Sequence, residues 1–109
     1  MPSTTERSLA RPLRLIKALA DENRLRIMMQ LADGERCVCD LTDALDAGQS
    51  LLSFHLRTLR DAGLVTDRRD GRWVHYSIRP DGLAQIEAFL SAVRLSAEAA
   101  SSAPRSCCD

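Results

Sequence analysis

Four cysteines carry the chemistry of this 109-residue chain that packing alone explains least: Cys37 and Cys39 within RCVCDL, and Cys107 and Cys108 within the closing SCCD. Two thiolates can grip one thiophilic ion if their side chains converge. Residues two apart point to opposite faces of a strand and roughly 200° apart around a helix, so convergence requires an irregular strand-to-helix junction. The pattern predicts such a junction, with Cys39 at the helix cap and Asp40, Leu41 and Thr42 in the first turn. Free backbone N–H groups and the helix dipole there favour a thiolate, while Asp40 and Asp43 oppose it. In a reducing cytosol all four thiols are expected to stay reduced, which favours metal or redox chemistry over crosslinks. The competing reading of Cys37 and Cys39 is inert packing, and of Cys107 and Cys108 an unselected chain end. Adjacent cysteines bridge only with strain, so a Cys107–Cys108 disulfide is disfavoured.

The chain is 45% apolar, enough for one compact domain with little stability margin unless a partner adds to it. No window is apolar for the length of a membrane span, and MPSTTERSLARP lacks the apolar core of a secretory signal, so a cytoplasmic protein is expected. The net charge of zero conceals segregation: residues 1–30, 31–49, 50–79 and 80–109 carry balances of +3, −4, +3 and −2. A polyanion would meet the third block, with the acidic second block held away from it.

The elements that must position these groups are mainly helical. Leu13, Ile16, Leu19 and Ala20 recur at helical spacing; Asp21 caps a second helix carrying Leu25, Met28, Met29, Leu31 and Ala32, which Asp33-Gly34 ends. Asp40 to Leu45 forms a third helix, broken by Asp46-Ala47-Gly48 with the glycine suited to a left-handed turn. Gln49 to Ala62 forms a fourth, with Leu52, Leu56 and Leu59 on one stripe and Gly63 as its stop. Two short helices around a tight turn make a helix-turn-helix whose second member is the reader. From Leu64 to Ile78 the period changes to two, and Asp70-Gly71 marks a hairpin, giving a two-stranded wing. Leu83, Ile86, Phe89, Leu90 and Val93 form a last amphipathic helix. The expected organisation is a winged helix-turn-helix domain over residues 1–97, mainly α with a small β-hairpin, and a flexible tail over 98–109.

On the fourth helix the buried stripe leaves Ser50, Ser53, Phe54 and Arg57 facing outward, with Gln49 at the entry. Gln49 and the serines can hydrogen-bond base edges or phosphate, Arg57 can reach backbone or guanine, and Phe54 can lie against a thymine methyl or cover a neighbouring apolar surface. Arg68, Arg69 and Arg72 surround the hairpin turn and suit phosphate or the minor groove. Trp73 and Tyr76 read as packing residues of the wing, and His55 as a packed, hydrogen-bonded group.

With those elements placed, ALADENRLRIMMQL, CVCDLTDAL, SFHLRTLRDAGLV and GRWVHYSI resemble the ArsR/SmtB family of bacterial metal-responsive repressors, over about Leu13 to Ile78. CVCDL is similar to the arsenic-sensing branch. The resemblance implies a homodimer that occupies an inverted-repeat operator and lets go when a thiophilic ion binds. The terminal helices, with more apolar face than a small core covers, fit a dimer interface independently.

The arsenic branch often reads CVCDLC, whereas Thr42 holds the last place here and its hydroxyl is a poor ligand for a soft ion. The Asp/His site of the zinc-sensing branch and the N-terminal cysteine of the cadmium and lead sensors are also missing. A third sulfur can come from Cys107 or Cys108, since ten residues beyond a helix ending near Ala97 reach at most about 35 Å and typically about 17 Å. Two separate dithiol sites, or a Cys37/Cys39 pair holding a monomethylated arsenical, are the open alternatives. The expected function is a repressor released by As(III) or Sb(III), with no catalytic cofactor. A thiol-redox repressor is the alternative, and a small thiol oxidoreductase or arsenate reductase a distant one, because there is neither a CxxC nor a phosphate-type loop.

Overall fold

A computed structural model describes the backbone of residues 2–101 and the side chains of residues 9–101. In chain order the elements are α1 (Pro2–Leu19), α2 (Glu22–Leu31), β1 (Arg36–Cys37), α3 (Val38–Leu45), α4 (Gln49–Ala62), β2 (Val65–Asp70), β3 (Trp73–Ile78) and α5 (Pro80–Ser101). Leu15, Ile27, Leu31, Leu41, Leu52, Leu56, Leu59, Leu64 and Val65 are essentially inaccessible, drawn from α1 to α4, β2 and the turn before it, and Tyr76 of β3 and Ile86 of α5 close the core. Burying each such side chain contributes about 1.5–3 kcal/mol, which offsets the ordering of the short helices that carry them.

The helix boundaries follow from their caps. The Asp21 carboxylate accepts from the N–H groups of Asn23 and Arg24 and starts α2. Gly63, at φ +93°, closes α4 in a left-handed turn that a side chain would strain. In the turn between α3 and α4 the left-handed residue is Asp46, at φ 51°, rather than Gly48, which lies at φ −64° as the cap of α4. Aspartate is one of the few residues other than glycine that visit that region routinely.

Four further features depart from expectation. The wing is three-stranded: β1 pairs antiparallel with β3, placing Arg36 opposite Tyr76 and Cys37 opposite His75, in the order β1-β3-β2. Two residues of strand carry no periodic signal, so only the ladder reveals them. The buried face of α1 is Leu15 and Ala18, whereas Leu13 and Ile16 of the expected stripe are exposed, as are Leu25 and Met29 on α2. Helix α1 begins at Pro2, well before Leu13, and α5 runs to Ser101, beyond the expected end near Ala97. Only the first half of α5 packs on the core, through Gly82, Leu83 and Ile86.

Arg11 ties the elements at the helical end together, donating to the Ala62 carbonyl (3.0 Å) and to Gln85 Oε1 (2.9 Å). Gly82 permits the close approach of α5 to the turn after α4, because a Cβ there would stand 2.7 Å from the Gly63 carbonyl oxygen.

Candidate functional site

The two helices of the reading pair are set by α2 and by the β1–α3 junction. On α4, Leu52, Leu56 and Leu59 face inward, while Gln49, Ser50, Phe54 and Arg57 are exposed and Ser53 is half-buried. This is the arrangement expected of a reader helix. Phe54 is 54% exposed, an unusual state for a phenylalanine, with only an edge contact to the His55 ring among the described residues. His55 is buried as expected: its Nδ1 accepts from Arg24 (2.9 Å), which fixes the proton on Nε2, 3.9 Å from Asp21. Burial opposes ionisation of Asp21, but the backbone donors of Arg24 and Asn23, with the Arg24 guanidinium nearby, outweigh it and hold the carboxyl below its usual range. The reader helix is thus pinned to the start of α2.

The wing arginines divide. Arg68 is held by Glu35 in a bidentate pair at 2.8 and 3.0 Å, which lowers the Glu35 carboxyl and raises the Arg68 guanidinium. Arg69 and Arg72 have no carboxylate partner among the described residues, nor has Arg57. Tyr76 packs as expected, but Trp73 does not: it is 51% exposed, with the Arg72 guanidinium 5.8 Å from its ring centre. Its place opposite Asp70, beside the hairpin turn, sets the indole on the open cleft rather than in the core.

At the junction, Cys37 rather than Cys39 is the cap of α3. Its Sγ accepts from the Asp40 N–H (3.3 Å) while Asp40 Oδ2 accepts from the Cys37 N–H (3.4 Å), a reciprocal capping box with sulfur in the place of a hydroxyl. Cys37 keeps extended backbone as the end of β1, and Cys39 follows one residue into the helix, so the irregular junction turns both side chains to one side. Their Cα atoms are 5.4 Å apart and the structure joins their sulfurs in a disulfide. That departs from the expectation of reduced thiols, and it follows from the convergence of the two side chains at the junction. The Asp40 carboxylate lies within 4.8 Å of both sulfurs. The Thr42 hydroxyl donates to the Val38 carbonyl (2.9 Å) and is committed to the helix. Cys107 and Cys108 lie outside the described residues.

Cys37 is buried, but Cys39 is exposed and opens onto a cleft of about 520 Å³ between α3, α4 and the wing. Arg57, Arg60, Arg69 and Arg72 line it, together with Asp43 and Asp67. Arg60 was not among the residues expected at the site, although its position one turn after Arg57 on the same helix face offered the signal. Arg60 pairs with Asp67 at 3.3 Å.

A helix-turn-helix followed by a basic hairpin defines the class, a winged-helix reader of duplex DNA. Residues 21–67 match the model described as bacterial regulatory protein, arsR family. The chain is 53% identical over 70 residues to the arsenical resistance operon repressor of Escherichia coli K12, covering 63% of this chain and 60% of that one. It is 41% identical over 93 residues to the arsenic resistance transcriptional regulator ArsR1 of Pseudomonas putida KT2440, covering 84% and 73% respectively. Among solved structures, a possible transcriptional regulator for arsenical resistance superposes with a TM-score of 0.68 at 38% identity, covering 79% of this chain and 96% of that one. The chain belongs to the arsR family of bacterial regulatory proteins and stands among its relatives named for arsenical resistance. It is a DNA-binding transcriptional regulator of the winged helix-turn-helix type, in a family of regulators rather than enzymes.

Proposed function

We propose that this protein represses transcription from an inverted-repeat operator as a homodimer in the cytoplasm, and that As(III) or Sb(III) bound by Cys37 and Cys39 releases it. The observation that carries the reading is the convergence of the two sulfurs at the first turn of α3, the helix that seats the reader. The relatives named as arsenical resistance operon repressors support the choice of ion. Among the described residues no helix is long and apolar enough to cross a membrane. Gln49, Ser50, Ser53 and Phe54 read base edges, and Arg57, Arg69 and Arg72 hold phosphates. Arg68 joins them only when Glu35 lets go.

The release follows from the cap. Cys37 Sγ, which accepts from the Asp40 N–H, and Cys39 Sγ would hold the ion, and any shift of Cys37 to suit it would load the first turn of α3 against Leu41 and the core. Cys37 is also the last residue of β1, so the same change loads the ladder to β3 and the wing. Clearing an operator from 99% to 1% occupancy requires the ion to favour the released form by about 5.5 kcal/mol.

Anisotropy titration of the operator complex with As(III), Sb(III), Zn(II), Cd(II) and methylated arsenite tests the reading. Release by the first two at concentrations where zinc has no effect is expected. The joined sulfurs favour one second reading, in which oxidation to the Cys37–Cys39 disulfide is the signal. Release by peroxide and not by arsenite would select it.

A further inference from the structure

The thiol pair leaves a trivalent ion one valence short, and the cleft beside Cys39 has the character of a binding site for what completes it. Resting on the proposed capture of As(III) by Cys37 and Cys39, we propose that the third ligand is the sulfur of a small carboxylate-bearing thiol seated in this arginine-lined cleft. Three observations converge. Thr42, where a third cysteine would stand, lines the cleft, and its hydroxyl is already bonded to Val38. Cys39 is exposed on the cleft wall, so an ion on its sulfur faces the opening. Arg57, Arg69 and Arg72 line the same space with no carboxylate of their own among the described residues.

The volume suits such a ligand: about 520 Å³ falls within the range of roughly 300–1,000 Å³ typical of small-molecule sites. Guanidinium groups take carboxylates in paired hydrogen bonds, and the exposed Trp73 adds an apolar wall. Arsenous acid exchanges its three hydroxyls for three sulfurs, two from the protein and one from the small thiol, forming three As–S bonds and releasing three waters with no change of oxidation state. Where the protein pair starts as a disulfide, two further molecules of the same thiol reduce it and leave as their own disulfide. The carboxylates then occupy the arginines that otherwise hold DNA phosphate, so ligand and operator contest one set of cations.

The test uses the full chain carrying Cys107→Ser and Cys108→Ser, with arsenite, in the presence of reduced glutathione or of neutral 2-mercaptoethanol. Native mass spectrometry reads the stoichiometry, and competition with a dithiol chelator reads As(III) retention. A protein–arsenic–glutathione complex of 1:1:1 and retention about tenfold stronger with glutathione than with the neutral thiol are expected, with the preference lost in Arg57→Ala and Arg72→Ala. Equal retention with both thiols, or an ion held by two protein sulfurs and no glutathione adduct, overturns this inference and leaves ion capture standing. An intact chain that supplies three sulfurs without added thiol assigns the third to Cys107 or Cys108 and likewise overturns it. Arsenite retained equally after Cys37→Ser with Cys39→Ser overturns the capture itself, and this inference with it.

Discussion

At Cys37 a single sulfur caps α3 and, in the proposed function, also grips an ion, and substitutions separate the two roles. Serine preserves a cap acceptor for the Asp40 N–H, so Cys37→Ser with Cys39→Ser should bind operator within about twofold of the parent while losing release by arsenite. Alanine removes the acceptor, and urea unfolding should show Cys37→Ala less stable by about 1 kcal/mol. If the serine pair is still released by arsenite as readily as the parent, ion capture lies elsewhere. Glu35 is the other decisive side chain. Its hydrogen bonds from Arg68 hold the carboxyl below the ordinary range, so the folded group titrates lower than the unfolded one. Its stabilisation is present above the unfolded value and disappears as the pH falls through the folded one. Glu35→Gln should therefore flatten the acid limb of a stability-against-pH curve. It should also free Arg68 for DNA, steepening the salt dependence of binding by about one charge.

Among elements, the proposed function divides the work on DNA between the wing and α4. Arg69→Ala and Arg72→Ala should weaken binding to every duplex and reduce the slope of log affinity against log salt by about one each. Ser53→Ala and Phe54→Ala should alter preference among sequences instead; anisotropy on matched and mismatched operators separates the two. The join between α4 and α5 is equally specific. Gly82→Ala drives a methyl group against the Gly63 carbonyl and Leu64, and thermal or urea unfolding should report a loss of about 1–3 kcal/mol.

For the whole molecule, the apolar surface is unevenly placed. Leu9, Leu13 and Ile16 on α1 and Leu90, Val93 and Leu95 on α5 are exposed, and the second half of α5 touches no core. Water-facing rows of this kind on two terminal helices fit a second copy of the chain. Leu13→Arg with Leu90→Arg should give a monomer by sedimentation and lower affinity for an inverted repeat by about a hundredfold, since each half-site would then bind alone. A dimer surviving both changes would place the interface elsewhere.

The chain's local signals determined much of this protein by themselves. Asp21, Gly63 and Asp70-Gly71 mark boundaries through their own backbone chemistry, and the Leu52/Leu56/Leu59 stripe orients α4, so the outward face from Gln49 to Arg57 could be read from spacing. The cysteine pair was legible for the same reason, because two thiols beside a helix start is a local pattern. What lies far apart in sequence was not. Only folding brings β1 to β3, Glu35 to Arg68 across 33 positions, and Arg69 and Arg72 to the cleft that Cys39 faces. Tertiary packing also chose Leu15 over Leu13 for the core of α1, since both rows are apolar and only the neighbouring helices distinguish them. It made Cys37 the cap as well, because the ladder to His75 holds that residue extended until the helix begins.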